Sequence, residues 1–222
     1  MQTKLIAVTQ PRQLTDTAPG AWAKELTPEQ FIVYIARVSN PANQLNTETG
    51  PKLLKYLINH KHWSPFEHIS CTFEIVTSRA IAAQILRHRS FTFQEFSQRY
   101  AEITELEPIE WREQGKTNRQ VGDKPVILDA ALQLQVSAAQ KQSYDAYQAL
   151  IKAGIAKESA RMILPLNTQS TIYMTGTLRS WIHYLELRCE EGTQKEHRLI
   201  ALDIKKRLEE EFPETFKVIN ES

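Results

Sequence analysis

The sequence predicts an α/β protein, one helix-rich domain over residues 1–222. Three observations carry that expectation. Between Ile69 and Val76, apolar Ile69, Cys71, Phe73 and Ile75 alternate with Ser70, Thr72 and Glu74, the two-residue period of a strand with one covered face. Several longer stretches begin with helix-capping residues and stop at glycine or proline. No internal repeat, low-complexity tract or Gly/Ser linker divides the chain.

Taken in order, Leu5 to Val8 reads as a short strand. Thr27 caps a helix with Pro28 in its first turn and Gln30 at the reciprocal capping position, and this helix is expected to end near Asn40-Pro41. A second helix starts at Pro51, with Leu53, Leu54, Leu57 and Ile58 on its buried side. After the strand at 69–76, Thr77 or Ser78 caps a helix through TSRAIAAQILRHR that sets Gln84, Arg87 and His88 on one side. Glu105 to Pro125, which includes WREQGKTNRQVG, has two prolines, two glycines and many charges and reads as a long loop or lid. A long helix from Asp129 to Ala153 is stopped by Gly154, and a shorter one covers Ala156 to Ile163 before Pro165. Two more helices follow, Thr177 to about Cys189 and Thr193 to Phe212. Thr193 and Glu196 have the spacing of a second capping box.

Composition narrows the function. With 41% hydrophobic and 24% charged residues, the chain is that of an ordinary soluble domain. Its 27 basic and 26 acidic residues nearly cancel, which argues against a general affinity for nucleic acid or acidic membranes. MQTKLIAVTQ lacks the pattern of a secretory signal, and no run reaches the roughly 20 apolar residues of a membrane span, so a cytoplasmic protein is expected. The two cysteines, Cys71 and Cys189, have no CxxC spacing and read as small core residues. No HExxH occurs among six histidines, so no metal is expected, and GxGxxG, Walker and GxSxG motifs are absent.

Positive charge is local. In RHRSFTFQEFSQRY, residues 87–100, arginines crowd against phenylalanines. Arginine is always charged and offers a planar fork of donors to phosphate or carboxylate. A solvated surface is the plain alternative. Burying Phe91, Phe93 and Phe96, however, would draw Arg87 and Arg89 toward a cleft where an anion must compensate them. Arg188 poses the same question. On a helix from Thr177, at about 100° per residue, it lies in line with Trp181 and near Tyr184, opposite Arg179, His183 and Glu186. Either a structural carboxylate or a bound anion has to meet it. Arg161, in ARMILP, sits in an apolar turn with the same two options, and His68 in SPFEHIS reads as a satisfied structural histidine.

RHRSFTFQEFSQRY is similar to the signature of the flavin-dependent thymidylate synthases, in which RHR is followed after seven residues by serine and then by Arg-Tyr. Arg87, His88, Arg89, Ser97, Arg99 and Tyr100 match it. The resemblance extends through SPFEHIS, Gln84, ARMILP, GTLRSWIHYLELR and TQKEHRLIA in that order. It implies an antiparallel sheet flanked by helices, a homotetramer with active sites between subunits, and an enzyme that makes dTMP from dUMP. The one-carbon unit comes from 5,10-methylenetetrahydrofolate and the hydride from FAD, reduced by NADPH.

By the same resemblance, FAD is held by Arg87, His88, Arg89, Ser90 and Glu95, by Ser70, and by Thr177, Leu178, Arg179 and His183, with His68 close to the flavin. The dUMP residues implied are Gln84, Ile85, Leu86 and Arg87, then Glu95, Phe96, Ser97, Gln98 and Arg99, then Arg161 and Arg188, some of them from a neighbouring subunit. Arg188 matches the family's activating arginine beside the uracil, where a fixed cation stabilises negative charge developing on the ring. Ser97 is assigned to substrate binding, since a serine nucleophile needs an adjacent base and oxyanion donors. Thr92 and Gln94 stand in for a frequent serine and asparagine with hydrogen-bonding capacity kept. Thr177, His183 and Gly192 stand where many relatives have asparagine, asparagine and histidine. A non-catalytic nucleotide- or RNA-binding module, with phosphates on the RHR cluster and bases on the phenylalanines, is the competing reading.

Overall fold

A computed structural model describes residues 1–11, 26–118 and 120–221 of the protein. Among them the chain runs β1 (Gln2–Val8), α1 (Pro28–Ala36), α2 (Gly50–Asn59), β2 (Ser70–Ser78), α3 (Arg79–Ile85), β3 (Thr92–Glu95), β4 (Arg112–Gln114), β5 (Gly122–Pro125), α4 (Ala130–Lys152), α5 (Lys157–Ala160), β6 (Gln169–Thr177), α6 (Leu178–Arg188), α7 (Lys195–Glu211) and α8 (Pro213–Glu221). No helix among these residues is long and apolar enough to cross a membrane.

The main sheet has the order β1-β2-β6-β3, with every neighbouring pair antiparallel. Its centre is the β2–β6 ladder, in unbroken register from Ser70↔Thr177 to Ser78↔Gln169. The alternation in β2 has the expected effect: Cys71, Phe73 and Ile75 are buried with Ile172 and Met174 of β6. The helices on that side complete the core with Ile81 and Ile85 of α3, Trp181 and Leu185 of α6, Ile204 and Leu208 of α7, and Phe216 of α8. The opposite face is polar. Thr72 and Thr175 share a hydroxyl hydrogen bond of 2.9 Å, and Tyr173 donates to Glu74 at 2.7 Å.

Local signals explain several helix starts. At α1 both halves of the Thr27/Gln30 capping box form, at 3.2 and 3.1 Å. Ser78 rather than Thr77 caps α3, Asp129 caps α4 at 2.8 Å, and Thr177 caps α6. Gly154, just past α4, takes φ +79°, the left-handed conformation that lets the helix stop there.

Other expectations need correction. Helix α1 stops at Ala36, short of Asn40-Pro41, because Arg37 turns inward and donates to the Asn43 carbonyl at 3.2 Å, the Thr49 hydroxyl at 2.7 Å and the Asn46 carbonyl. The segment expected to be a loop, Glu105 to Pro125, contains the β4–β5 hairpin; its Arg119 lies outside the described residues. Helix α3 ends at Ile85, so Arg87 and His88 belong to a turn and not to a helix face. The Thr193/Glu196 capping box does not form: Thr193 donates to the Leu187 carbonyl at 3.2 Å, and Glu196 takes an ion pair from the hairpin. Strands β3 and β6 and helix α8 were not expected at all.

Candidate active site

Phe91 organises the RHR turn. Its ring is buried edge-on against Trp181, with centroids 4.7 Å apart, and lies on Gly176 so closely that a methyl group there would overlap it. Anchoring Phe91 reverses the chain between α3 and β3, which carries His88 inward and leaves Arg87, Arg89 and Ser90 exposed. The guanidinium groups of Arg87 and Arg89 have no acid partner among the described residues.

Trp181 and Tyr184 of α6 are fully buried while Arg179, His183 and Glu186 are exposed, as the helical turn predicts. Arg188, half-buried at the end of α6, meets neither a structural carboxylate nor any other acid among the described residues. Its Nε donates to Nε2 of His88 at 2.9 Å. Burial first, then the charge of Arg188 and that of His183, push the His88 imidazole down to about 4. His88 is therefore neutral at pH 7, with its proton on Nδ1, and the amino groups of Arg188 have no partner among the described residues.

Beneath this pair lies a second imidazole. His197 of α7 is fully buried; its Nδ1 meets Gln84 Oε1 at 3.3 Å and its Nε2 meets the Tyr184 hydroxyl at 3.1 Å. Burial, followed by Arg188 and His88, pushes it down to about 3. Gln84 donates to Gln194 at 2.7 Å, Gln194 to Glu196 at 3.0 Å, and Arg112 of the hairpin to Glu196 at 2.6 Å. Sequence reasoning passed over His197. The signal was present: it falls on the stripe of α7 that also buries Ile200, Ala201 and Ile204.

Two clefts hold other expected residues. Ser90, Thr177, Arg179 and His183 line one of about 670 Å³, together with Lys61, Trp63, Glu67, Ser180, Ile182 and Glu186. Ser70, in register with Thr177, stands at the same end of the ladder, and His68 is exposed just before it. Leu178 is part of the core. The second cleft, about 330 Å³, is lined by Ser97, Arg99, Tyr100, Ala156, Lys157 and Glu158. Arg99 pairs there with Glu158 at 3.0 Å.

The remaining expected residues are spread between these places. Glu95 accepts from Ser170 at 3.0 Å, Phe96 is partly exposed, and Gln98 is buried with an Nε2 that has no partner among the described residues. Ile85 is core, Leu86 is half-buried, and half-buried Arg161 has no acid partner among the described residues. The two clefts share no lining residue, and Arg188 and Gln84 line neither.

The 670 Å³ cleft fits a large flavin cofactor: its volume is in the range of ligand pockets, Trp63 and Ile182 offer apolar wall, Lys61 offers a cation for phosphates, and Arg179 offers a second once it leaves its ion pair with Glu67. Neither cysteine is activated. Burial pushes the Cys71 thiol up to about 12 and raises that of Cys189. No group of three His, Cys, Asp or Glu side chains among the described residues is arranged to hold a metal.

The family model described as thymidylate synthase complementing protein matches residues 23–214. A probable flavin-dependent thymidylate synthase of Paramecium bursaria Chlorella virus 1 is 49% identical over 226 residues, covering 99% of each chain. The flavin-dependent thymidylate synthase of Synechocystis sp. is 46% identical over 215 residues, covering 96% of each. Among solved structures, the UMP/dUMP methylase PolB of Streptomyces cacaoi, bound with 5-Br dUMP, superposes with a TM-score of 0.77 at 25% identity, over 99% of this chain and 94% of that one.

Proposed function

The chain belongs to the flavin-dependent thymidylate synthases, and we propose that one domain spanning residues 1–222 carries out the family reaction with Arg188 as its activating group. The protein is an FAD-dependent enzyme that converts dUMP to dTMP by reductive methylation. Our reading adds 5,10-methylenetetrahydrofolate as one-carbon donor, NADPH as reductant and the absence of a covalent enzyme nucleophile.

The observation that carries the assignment is the Arg188–His88 pair. An arginine tethered through Nε to a neutral imidazole keeps its full charge and two uncommitted amino groups. Placed beside N3 and O4 of uracil, that cation stabilises negative charge as it develops on the ring and makes C5 a better carbon nucleophile. A carboxylate in the place of His88 would cancel the charge. When bound, FAD supplies the reducing hydride. Ser70, Ser90, Thr177, Arg179 and His183 are the residues suited to hold it, with His68, Arg87, His88, Arg89, Leu178 and Glu95 assigned by the family motif. Gln84, Ile85, Leu86, Arg87, Glu95, Phe96, Ser97, Gln98, Arg99 and Arg161 are assigned to dUMP.

These dUMP residues belong to separate surfaces of one chain, which supports a site completed by a neighbouring subunit and a homotetramer. Bare apolar side chains fit the same reading: Ile127 is 98% exposed, Met162 77% and Leu166 72%. A cytoplasmic location is part of the proposal.

An anaerobic assay with FAD, NADPH, dUMP and methylenetetrahydrofolate tests the assignment. Arg188→Ala is expected to lose nearly all dTMP formation with FAD still bound, while Ser97→Ala retains turnover. An inactive Ser97→Ala enzyme with normal dUMP affinity would reverse that ranking and point to a serine nucleophile.

A further inference from the structure

Four hydrogen bonds run from the core to the surface through Tyr184, His197, Gln84, Gln194 and Glu196, and only one direction satisfies all of them. A carboxylate accepts and cannot donate. Glu196 already accepts from Arg112 through Oε1, and its Oε2 must be met by the amide N–H of Gln194. The carbonyl of Gln194 is then turned toward Gln84 and takes the Gln84 amide N–H at 2.7 Å. The Gln84 carbonyl is left facing His197, whose Nδ1 must carry the proton, and Nε2 accepts the Tyr184 hydroxyl proton. Glutamine can be rotated by half a turn at little steric cost, and imidazole can move its proton. Neither freedom survives here, because the surface carboxylate dictates each choice in turn.

We propose that Glu196 and His197 are positioning residues that lock the Gln84 amide with its carbonyl inward and its remaining N–H available to dUMP. The idea rests on the assignment of Gln84 to dUMP and deepens it: the locked amide offers that site a donor and withholds an acceptor. An N–H is the group that a phosphate or uracil carbonyl oxygen requires. With the amide rotated, Gln84 would present a carbonyl to those oxygens and repel them. The neutrality of His197 belongs to the same device, since Nε2 accepts the Tyr184 hydroxyl proton only while it carries no proton of its own.

Replacing Glu196 by Gln tests direction almost without changing shape. A glutamine there can donate to Gln194, which releases Gln194 and then Gln84 to rotate. In FAD-loaded protein, dUMP titrated without folate, so that no turnover occurs, is expected to bind about five- to tenfold more weakly to Glu196→Gln, the worth of one misdirected hydrogen bond. FAD affinity should not move. Arg112→Gln breaks the same ion pair but leaves the carboxylate in command, and should bind dUMP within about twofold of the parent. His197→Asn, whose amide N–H replaces Nδ1–H, should restore what His197→Leu loses. Unchanged affinity in Glu196→Gln, an equal loss in Arg112→Gln, or an asparagine no better than leucine would each overturn the proposal. Gln84→Leu separates the two levels: normal dUMP affinity in that variant would remove Gln84 from the substrate site and the proposal with it.

Discussion

Acid should find His197 before it finds most of the core. Unfolded, its imidazole titrates near the ordinary 6.5; folded, burial, then Arg188 and His88, hold it down to about 3. Above pH 6.5 the ring is neutral in both states and contributes nothing to the pH dependence. Below that, the unfolded chain takes up a proton that the native fold refuses, so stability falls as pH falls. Each pH unit costs about 1.4 kcal/mol once the unfolded ring is fully charged, and the two units from 6.5 to 4.5 amount to about 3 kcal/mol from this one residue. His88, held down to about 4, acts in the same direction between pH 6.5 and 4 but is present in both proteins when His197→Asn is compared with its parent. Urea unfolding at pH 7.5, 6.0, 5.0 and 4.5, at one fixed protein concentration, should show the two stability curves converging by about 3 kcal/mol toward low pH. Parallel curves, or a variant that loses more than its parent, would mean that the imidazole accepts a proton in the fold and that the buried hydrogen-bond chain is not held in one direction.

Two further substitutions examine the supports of the site. Gly176→Ala drives a methyl group into the Phe91 ring, so a loss of about 1–3 kcal/mol in thermal unfolding is expected, together with weaker flavin binding as the RHR turn shifts; normal stability would show that Phe91 can swing away. Glu29 is buried and accepts the backbone N–H of Thr215 at 2.6 Å and of Glu214 at 3.3 Å, capping α8 from another part of the chain. Glu29→Ala should lower stability by about 1–3 kcal/mol, read by urea unfolding, and increase amide exchange in α8 most of all.

What could be read beforehand followed from local chemistry. Thr27 with Gln30, Asp129 and Thr177 announced helix starts because a cap needs only the residues beside it. Strand β2 was visible because its covered side is Cys71, Phe73 and Ile75. Strand β6 was not, because its buried positions include Ser170 and Gly176, which mute the contrast with Thr171, Tyr173 and Thr175. The hairpin escaped notice because nothing in its own short strands favours it; it is tied to α7 through Arg112 with Glu196 and through Glu110 with Lys195. The end of α3 was misjudged for a similar reason, since the pull of Phe91 toward Trp181 comes from distant sequence. For the site, the motif supplied Arg188 and the RHR residues. That the partner of Arg188 is a neutral histidine became clear only once two segments 100 residues apart met.

The β2–β6 ladder also works as a gauge block. Helix α3 leaves it from the Ser78 end and α6 from the Thr177 end, and the two helices bring His88 and Arg188 within hydrogen-bonding distance. A slip of one residue would turn every side chain of a strand to the wrong face, and a slip of two would shift one helix root by about 6.8 Å, more than twice a hydrogen bond. Loop lengths at the hairpin tip or between α1 and α2 can drift without touching this spacing. The lengths of β2 and β6 cannot drift independently, so the two strands form a matched pair whose tolerance is smaller than one residue.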